Sequence, residues 1–244
     1  MHKPHKRIVD NAETAILFVH GIVGTPNHFR FFLPLVPKNI SVYNLLLDGH
    51  GKGVKDFSRT SMKKWEEQVA CAVQELAKTH SKIYIVGHSM GCLLALEQGM
   101  NNHRVNKLFL LNAPLKVFVR PKMLQNVFRM YFDYDDPGDE QWLAVRQCYG
   151  IQKDKNLFHY IGWIPRYLEL LRKIHKVRRE IYSLQKPCVV YQSAKDEMVS
   201  AKAVDVLQKN PEISVFMLKD SGHFYYGKDD AAQLEQGFLN FIAK

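Results

Sequence analysis

Gly87-His88-Ser89-Met90-Gly91 carries the pattern G-x-S-x-G between an apolar run at 83–86 and a stretch of small residues and leucines at 92–100. A serine nucleophile needs a sharp strand-to-helix turn that lifts its Oγ above the sheet edge, and such a turn tolerates almost no side chain at the flanking glycines. The five-letter pattern also arises by chance in Gly-Ser loops; a strand before it and a helix after it favour the nucleophile. Serine is weak alone and needs a base held by a carboxylate. Of the 11 histidines, His223 is the best base, because it follows the last strand in Ser-Gly-His, on the ligand side of a parallel sheet. His5, His28, His80, His103 and His159 read as solvated surface residues, and His20 and His50 as braces at strand ends. Asp196 precedes His223 and follows a strand, giving the chain order Ser, Asp, His. It is preferred to its neighbour Glu197 and to Asp220, which reads as a turn residue. An oxyanion needs backbone donors fixed in advance, and the amides of Met90, after the serine, and Ile22, in the loop at 20–24, are the candidates. That loop lacks both G-x-G-x-x-G and a Walker lysine, so phosphate binding is the minor reading.

The elements that must position these groups alternate between short β-branched or leucine-rich runs and stretches of helical period. This is the signature of a parallel sheet covered by crossover helices, an α/β fold. Strands are expected at 7–9 and 15–19, joined as a hairpin across the polar residues 10–13, then at 42–47, 83–86, 107–111, 188–192 and 213–218. Thr25-Pro26 reads as an N-cap with proline at the first helical position, opening a helix through Phe29, Phe32 and Leu33. Further helices are expected at 61–79, with Trp65, Val69, Ala72, Val73 and Leu76 on one face, at 92–100, near 201–209 and at 229–242. The alternation breaks between Leu115 and Lys186, 72 residues with no convincing buried strand. Residues 1–114 and 187–244 therefore read as the core, and 115–186 as a helical cap inserted over the serine.

Taken together, H-G-x-x-G-T-P at 20–26, D-G-H-G at 48–51, G-H-S-M-G at 87–91, N-A-P at 112–114, D-E-M-V at 196–199 and S-G-H at 221–223 make the chain similar to the carboxylesterase and monoacylglycerol-lipase branch of the α/β-hydrolases. It resembles compact bacterial carboxylesterases most, because its early strands are reduced to a hairpin. Cys92 departs from relatives that often carry a second glycine after the elbow; it is small and apolar, so only local helix packing is affected. The resemblance implies a mostly parallel sheet flanked by helices with a helical cap. It also implies hydrolysis of carboxylic esters by Ser89, His223 and Asp196 through an acyl-enzyme, with Ile22 and Met90 holding the oxyanion and no metal or organic cofactor. A thioesterase or acyltransferase with the same triad is the first alternative; thioesterases with G-H-S-M-G commonly lack the H-G-x-x-G loop. A non-catalytic ligand-binding protein on this fold is the second, and it predicts a missing triad member, whereas none is missing.

Composition bounds these readings. In 244 residues, 46% apolar and 24% charged, a sizeable core forms without staples, and neither disorder nor a coiled coil is indicated. Cys71, Cys92, Cys148 and Cys188 are neither paired in C-x-x-C nor clustered with histidine, so they read as reduced thiols of a cytoplasmic protein. The basic amino terminus is not followed by the apolar stretch of a signal peptide, and no run approaches the ~20 apolar residues of a membrane span. Lys and Arg outnumber Asp and Glu by 34 to 24, and residues 115–186 alone hold 14 against 8. The surplus thus belongs mainly to the insert, and with no basic-plus-aromatic module in sight it does not indicate nucleic acid. It is compatible with weak contact between a basic cap and an anionic membrane. Within the insert, Phe118, Met123 and Phe128, with Met198 beyond it, are candidates to line a substrate pocket for a small ester or lipid. The stripe Ile164, Tyr167, Leu168, Leu171, Ile174, Val177 and Ile181 reads as a core-facing helix with a solvated basic flank. Asp133, Asp135, Asp136, Asp139 and Glu140 read as an exposed acidic loop. Oligomeric state is not legible.

Overall fold

The structure, a computed structural model, describes residues 3–118, 121–132, 134 and 136–243, with Leu124 by its backbone alone; Asp133 and Asp135 of the acidic stretch lie outside the described residues. Its centre is a seven-stranded sheet: β1 (His5–Arg7), β2 (Thr14–Val19), β3 (Ser41–Leu45), β4 (Lys82–His88), β5 (Val105–Leu111), β6 (Cys188–Ser193) and β7 (Ile213–Leu218), in the order β1-β3-β2-β4-β5-β6-β7. All pairings are parallel except β1 with β3.

The near-continuous apolar runs of β2, β4 and β5 follow from burial on both faces. Side chains alternate between two layers. Ala15, Leu17, Val19, Ile83, Ile85, Leu108 and Leu110 face one apolar cluster, and Ile16, Phe18, Tyr84, Val86, Phe109 and Leu111 face the other. The first cluster is closed by α2 (Met62–Leu76), which turns Trp65, Val69, Ala72, Val73 and Leu76 inward, and by α3 (Met90–Asn101). Ser61 caps α2 by accepting the Lys64 N–H at 3.2 Å. Leu234, Phe238 and Phe241 of the C-terminal helix (Lys228–Ala243) close the second cluster with Phe29 and Phe32.

The expected hairpin does not form. β2 has both edges occupied, by β3 and β4, so the amino-terminal segment adds antiparallel to the free edge of β3, with His5 opposite Asn44. The helix expected from Thr25-Pro26 is also shorter than its sequence signal. The chain makes two 3-10 turns, Pro26–Phe29 and Leu33–Leu35, and Thr25 makes no side-chain cap; its hydroxyl instead donates to the Cys148 carbonyl at 3.4 Å. A short helix, α1 (Val54–Ser58), carries no strong sequence signal.

Between β5 and β6 the described chain forms α4 (Pro121–Tyr131), α5 (Glu140–Cys148), a 3-10 segment (Leu157–Trp163) and α6 (Ile164–Glu180). α6 is pinned to the body by charge. Lys173, buried, pairs with Glu66 of α2 at 2.7 Å and Glu97 of α3 at 2.5 Å, and Lys176 pairs with Glu97 at 2.9 Å. Arg166 holds the carbonyls of Ser58 and Thr60 and pairs with Glu169, which accepts the Met62 N–H. The α6 stripe is divided: Ile174, Val177 and Ile181 are buried, whereas Ile164, Leu168 and Leu171 are exposed.

Candidate active site

The elbow is held by close backbone approaches. Ser89 has φ +52°, a left-handed conformation rare for a residue with a side chain, and it sits as N-cap of α3 where β4 ends. Its N–H donates to the Leu111 carbonyl at 3.0 Å, tying the turn to the end of β5. A Cβ on Gly91 would lie 1.9 Å from the Val19 carbonyl oxygen, so only glycine lets α3 start this close to β2. Cys92 fills its place without penalty: it is buried, and its thiol lies 3.3 Å from the Gly87 carbonyl and 3.2 Å from that of Leu111.

The sequence-chosen partners converge on Ser89. The Ser89 hydroxyl lies 3.0 Å from His223 Nε2, and His223 Nδ1 lies 2.7 Å from Asp196 Oδ2. Asp196 uses its other oxygen to accept the N–H groups of Met198 and Val199, both at 2.7 Å, which fixes the carboxylate plane. All three residues are buried. Burial by itself lowers the basicity of His223, but the charge and hydrogen bond of Asp196 and the charge of Glu197 outweigh it, and the imidazole pKa is raised above its ordinary 6.5. Glu197 is therefore not a rival to Asp196: it accepts the His223 backbone N–H at 3.1 Å. Asp220 is exposed and pairs with Lys195 at 2.7 Å.

The loop at 20–24 abuts the elbow. A Cβ on Gly21 would fall 2.8 Å from Ser89 Cβ, so the glycine lets the loop reach the nucleophile. Gly24 N–H closes a turn on the Gly21 carbonyl at 3.1 Å, Val23 takes φ +50°, and its carbonyl accepts the Gly150 N–H at 2.8 Å. The Ile22 amide lies outside the closing bond of this turn. Met90 opens α3, so its N–H has no acceptor within the helix.

Several residues around the triad carry weaker sequence signals. Asn112, also at positive φ (54°), accepts the Ser193 N–H at 2.8 Å and donates to the carbonyls of Gly222 and His223, each at 3.2 Å, joining three strand ends. His88 Nε2 lies 2.9 Å from the His223 carbonyl. His28 is buried, not solvated, and stacks on His88 at 3.5 Å between ring centroids. Burial, reinforced by the charges of His223, His20 and Arg30, depresses its pKa to about 3. His80 is buried too, its Nε2 2.7 Å from the Ser41 hydroxyl. His20 accepts the Leu47 N–H at 3.1 Å and stands against His50, bracing the two loops.

An apolar cavity of about 270 Å³ adjoins the triad. Val23, Met198 and Phe224, neighbours in sequence of Ile22, Asp196 and His223, form its inner wall, and Met123, Val127 and Met130 of α4 with Tyr160, Trp163 and Tyr167 form the outer. Met123 and Met198, two of the candidates chosen from the sequence, line it. Phe118 and Phe128 do not. Phe128 lies off the helical face shared by 123, 127 and 130, is exposed and packs on Phe132 at 4.4 Å, and Phe118 lines a separate cleft beside Leu171 and Ile174. Among the described residues, no cluster of His, Cys, Asp and Glu suited to a metal ion occurs, and all four cysteines are free.

The chain is 27% identical, over 251 aligned residues, to the dihydrolipoyllysine-residue acetyltransferase component of the acetoin cleaving system of Pseudomonas putida, covering 95% of this chain and 64% of that protein. It is 28% identical over 109 residues to the thermostable monoacylglycerol lipase of Bacillus sp. strain H-257, 44% of each chain. The matched regions therefore span less than two thirds of either relative's length. In fold it is similar to a metagenome-derived lipolytic enzyme, with TM-score 0.76 at 18% identity and coverage of 99% of this chain and 97% of the other. The sheet order, the serine at the β4–α3 turn and a family model matching residues 16–236 agree: the chain belongs to the alpha/beta hydrolase family.

Proposed function

We propose that this protein is a serine hydrolase that cleaves carboxylic esters, with short- to medium-chain acyl esters or monoacylglycerols as substrates. The observation that carries this reading is the unbroken relay from Ser89 Oγ through His223 to the Asp196 carboxylate, beside two backbone amides free to receive an oxyanion. In this mechanism His223 Nε2 takes the Ser89 proton as Oγ attacks the acyl carbon, and Asp196 holds the Nδ1–H tautomer and stabilises the imidazolium. The amides of Ile22 and Met90 receive the developing oxyanion. The alcohol leaves with the proton from His223, and water then attacks the acyl-enzyme by the same route. The apolar cavity takes the acyl chain. Its volume falls just below the ~300–1,000 Å³ typical of small-molecule sites, which suits a compact acyl group.

Residues 115–186 act as the cap over this site, and their basic, partly apolar outer surface makes weak contact with anionic lipid. The four free thiols suit a reducing compartment, the cytoplasm. Ser89→Ala is expected to lower turnover of p-nitrophenyl butyrate by about 10⁶-fold while leaving the circular dichroism spectrum unchanged. A fluorophosphonate probe should label wild type and not the variant; residual turnover near wild type would sink the reading.

Transfer of the acyl group to an acceptor other than water is the second reading, favoured by the acetyltransferase relative that matches 95% of this chain. Both reactions share the acyl-enzyme and part at its second half. Product analysis of p-nitrophenyl ester turnover with an added alcohol or thiol acceptor separates them: transfer product in place of free acid would displace the esterase reading.

A further inference from the structure

Two cavities meet at one side chain. Phe224 lines the apolar cavity beside the triad and also a larger open cleft, about 630 Å³, bounded by the Pro26–Phe29 turn, α5 and residues 224–226. The ring is half-buried and edge-on to His223 at 4.8 Å between centroids, with His88 at 5.5 Å and His28 at 6.0 Å. We propose that Phe224 is the partition that sets the upper limit on acyl-chain length, and that the cleft beyond it is a second acyl subsite closed off in the wild-type enzyme. This rests on the esterase reading above.

The Trp163 side of the outer wall cannot yield in the same way. Trp163 packs on Phe57 at 4.8 Å and on Tyr160 at 5.0 Å, and its indole N–H donates to the Val54 carbonyl at 3.2 Å, so body structure stands behind it. Phe224 has no polar side-chain atom to anchor its ring, which makes ring contacts with His223, His88 and His28, and it also lines the larger cleft. Part of that cleft's lining suits hydrocarbon. Leu143 and Ala144 of α5 are apolar, His28 is kept neutral by burial, and the Cys148 thiol stays protonated, its pKa raised to about 12 by burial. The charged groups of the cleft, Arg30 and Glu140, are on side chains exposed to solvent. A chain that outgrows the cavity therefore meets an aromatic ring that also borders the partly apolar cleft.

The test is the kcat/KM profile across p-nitrophenyl esters from butyrate to palmitate. Phe224→Ala should raise the palmitate-to-hexanoate ratio by about tenfold or more, the scale on which pocket shape discriminates apolar groups. Phe224→Leu should move it the same way by less, and Phe224→Trp the opposite way, so this pair decides the matter should the alanine variant fail to fold. Ala144→Trp refills the cleft: alone it should leave the profile as in wild type, and combined with Phe224→Ala it should cancel the gain. An unmoved profile in the Phe224 variants overturns the partition, and a shift that survives Ala144→Trp overturns the cleft as its destination. Wild type inactive on every ester would instead refute the esterase reading and take this proposal with it.

Discussion

His223 keeps its basicity against its own burial. Desolvation pulls its pKa down, and the carboxylates of Asp196 and Glu197 pull it up by more. General-base catalysis needs the neutral imidazole, so kcat/KM is expected to fall as pH drops through a value above the ordinary 6.5 of histidine. Glu197→Gln removes a negative charge while keeping an acceptor for the His223 N–H, and it should move that acid limb to lower pH; a pH–rate profile of the pair checks the sign. Asn112 works at the same scale on the backbone. Asn112→Ala leaves the buried Ser193 N–H without its acceptor and should cost about 1–3 kcal/mol, read from the urea midpoint at unchanged m-value. Ser89, His223 and Asp196, the proposed nucleophile, base and carboxylate, stand out in the sequence because each sits in a short motif whose turn chemistry is local. His28 does not: a histidine on a polar-looking turn is buried only because His88 and Tyr226, distant in sequence, close over it.

Elements follow the same division. Strand existence and the inward face of α2 were readable from period alone, since burial on two faces or one writes itself directly into residue type. Pairing was not readable. β1 bypasses β2 for β3 because of which edge is vacant, and that depends on β4, some seventy residues away. The divided stripe of α6 has a similar cause: half of one apolar face meets α2 and α3, and the other half runs past them into solvent. Lys173 marks the point of attachment. Burial alone would raise the pKa of Glu97, yet Lys173 and Lys176 together bring it below the usual carboxylate value. This contribution to stability is thus present above the unfolded-state pKa of the glutamate and is lost as pH falls through the lower folded-state value. Lys173→Ala leaves Glu66 without this partner and Glu97 with Lys176 alone, and should cost about 1–3 kcal/mol at neutral pH, with the deficit shrinking in acid; chemical denaturation at two pH values measures both.

Across the whole molecule, charge and exposed apolar surface coincide. Among the described residues, twelve of the fifteen exposed large apolar side chains lie between Leu115 and Lys186, the stretch whose sequence also holds six of the ten excess positive charges. Turnover on anionic vesicles is therefore expected to fall steeply with added salt, whereas hydrolysis of a small soluble ester should not; equal salt response on both would remove the surface role. The two strands that bracket this region are neighbours in the sheet, with Leu108 to Leu111 in register against Cys188 to Tyr191. The chain thus leaves the sheet and returns to it at adjoining points. The intervening segment can therefore change in length or composition without rethreading a strand, as long as Cys148, Gly150, Trp163 and Arg166 keep their bonds to the body.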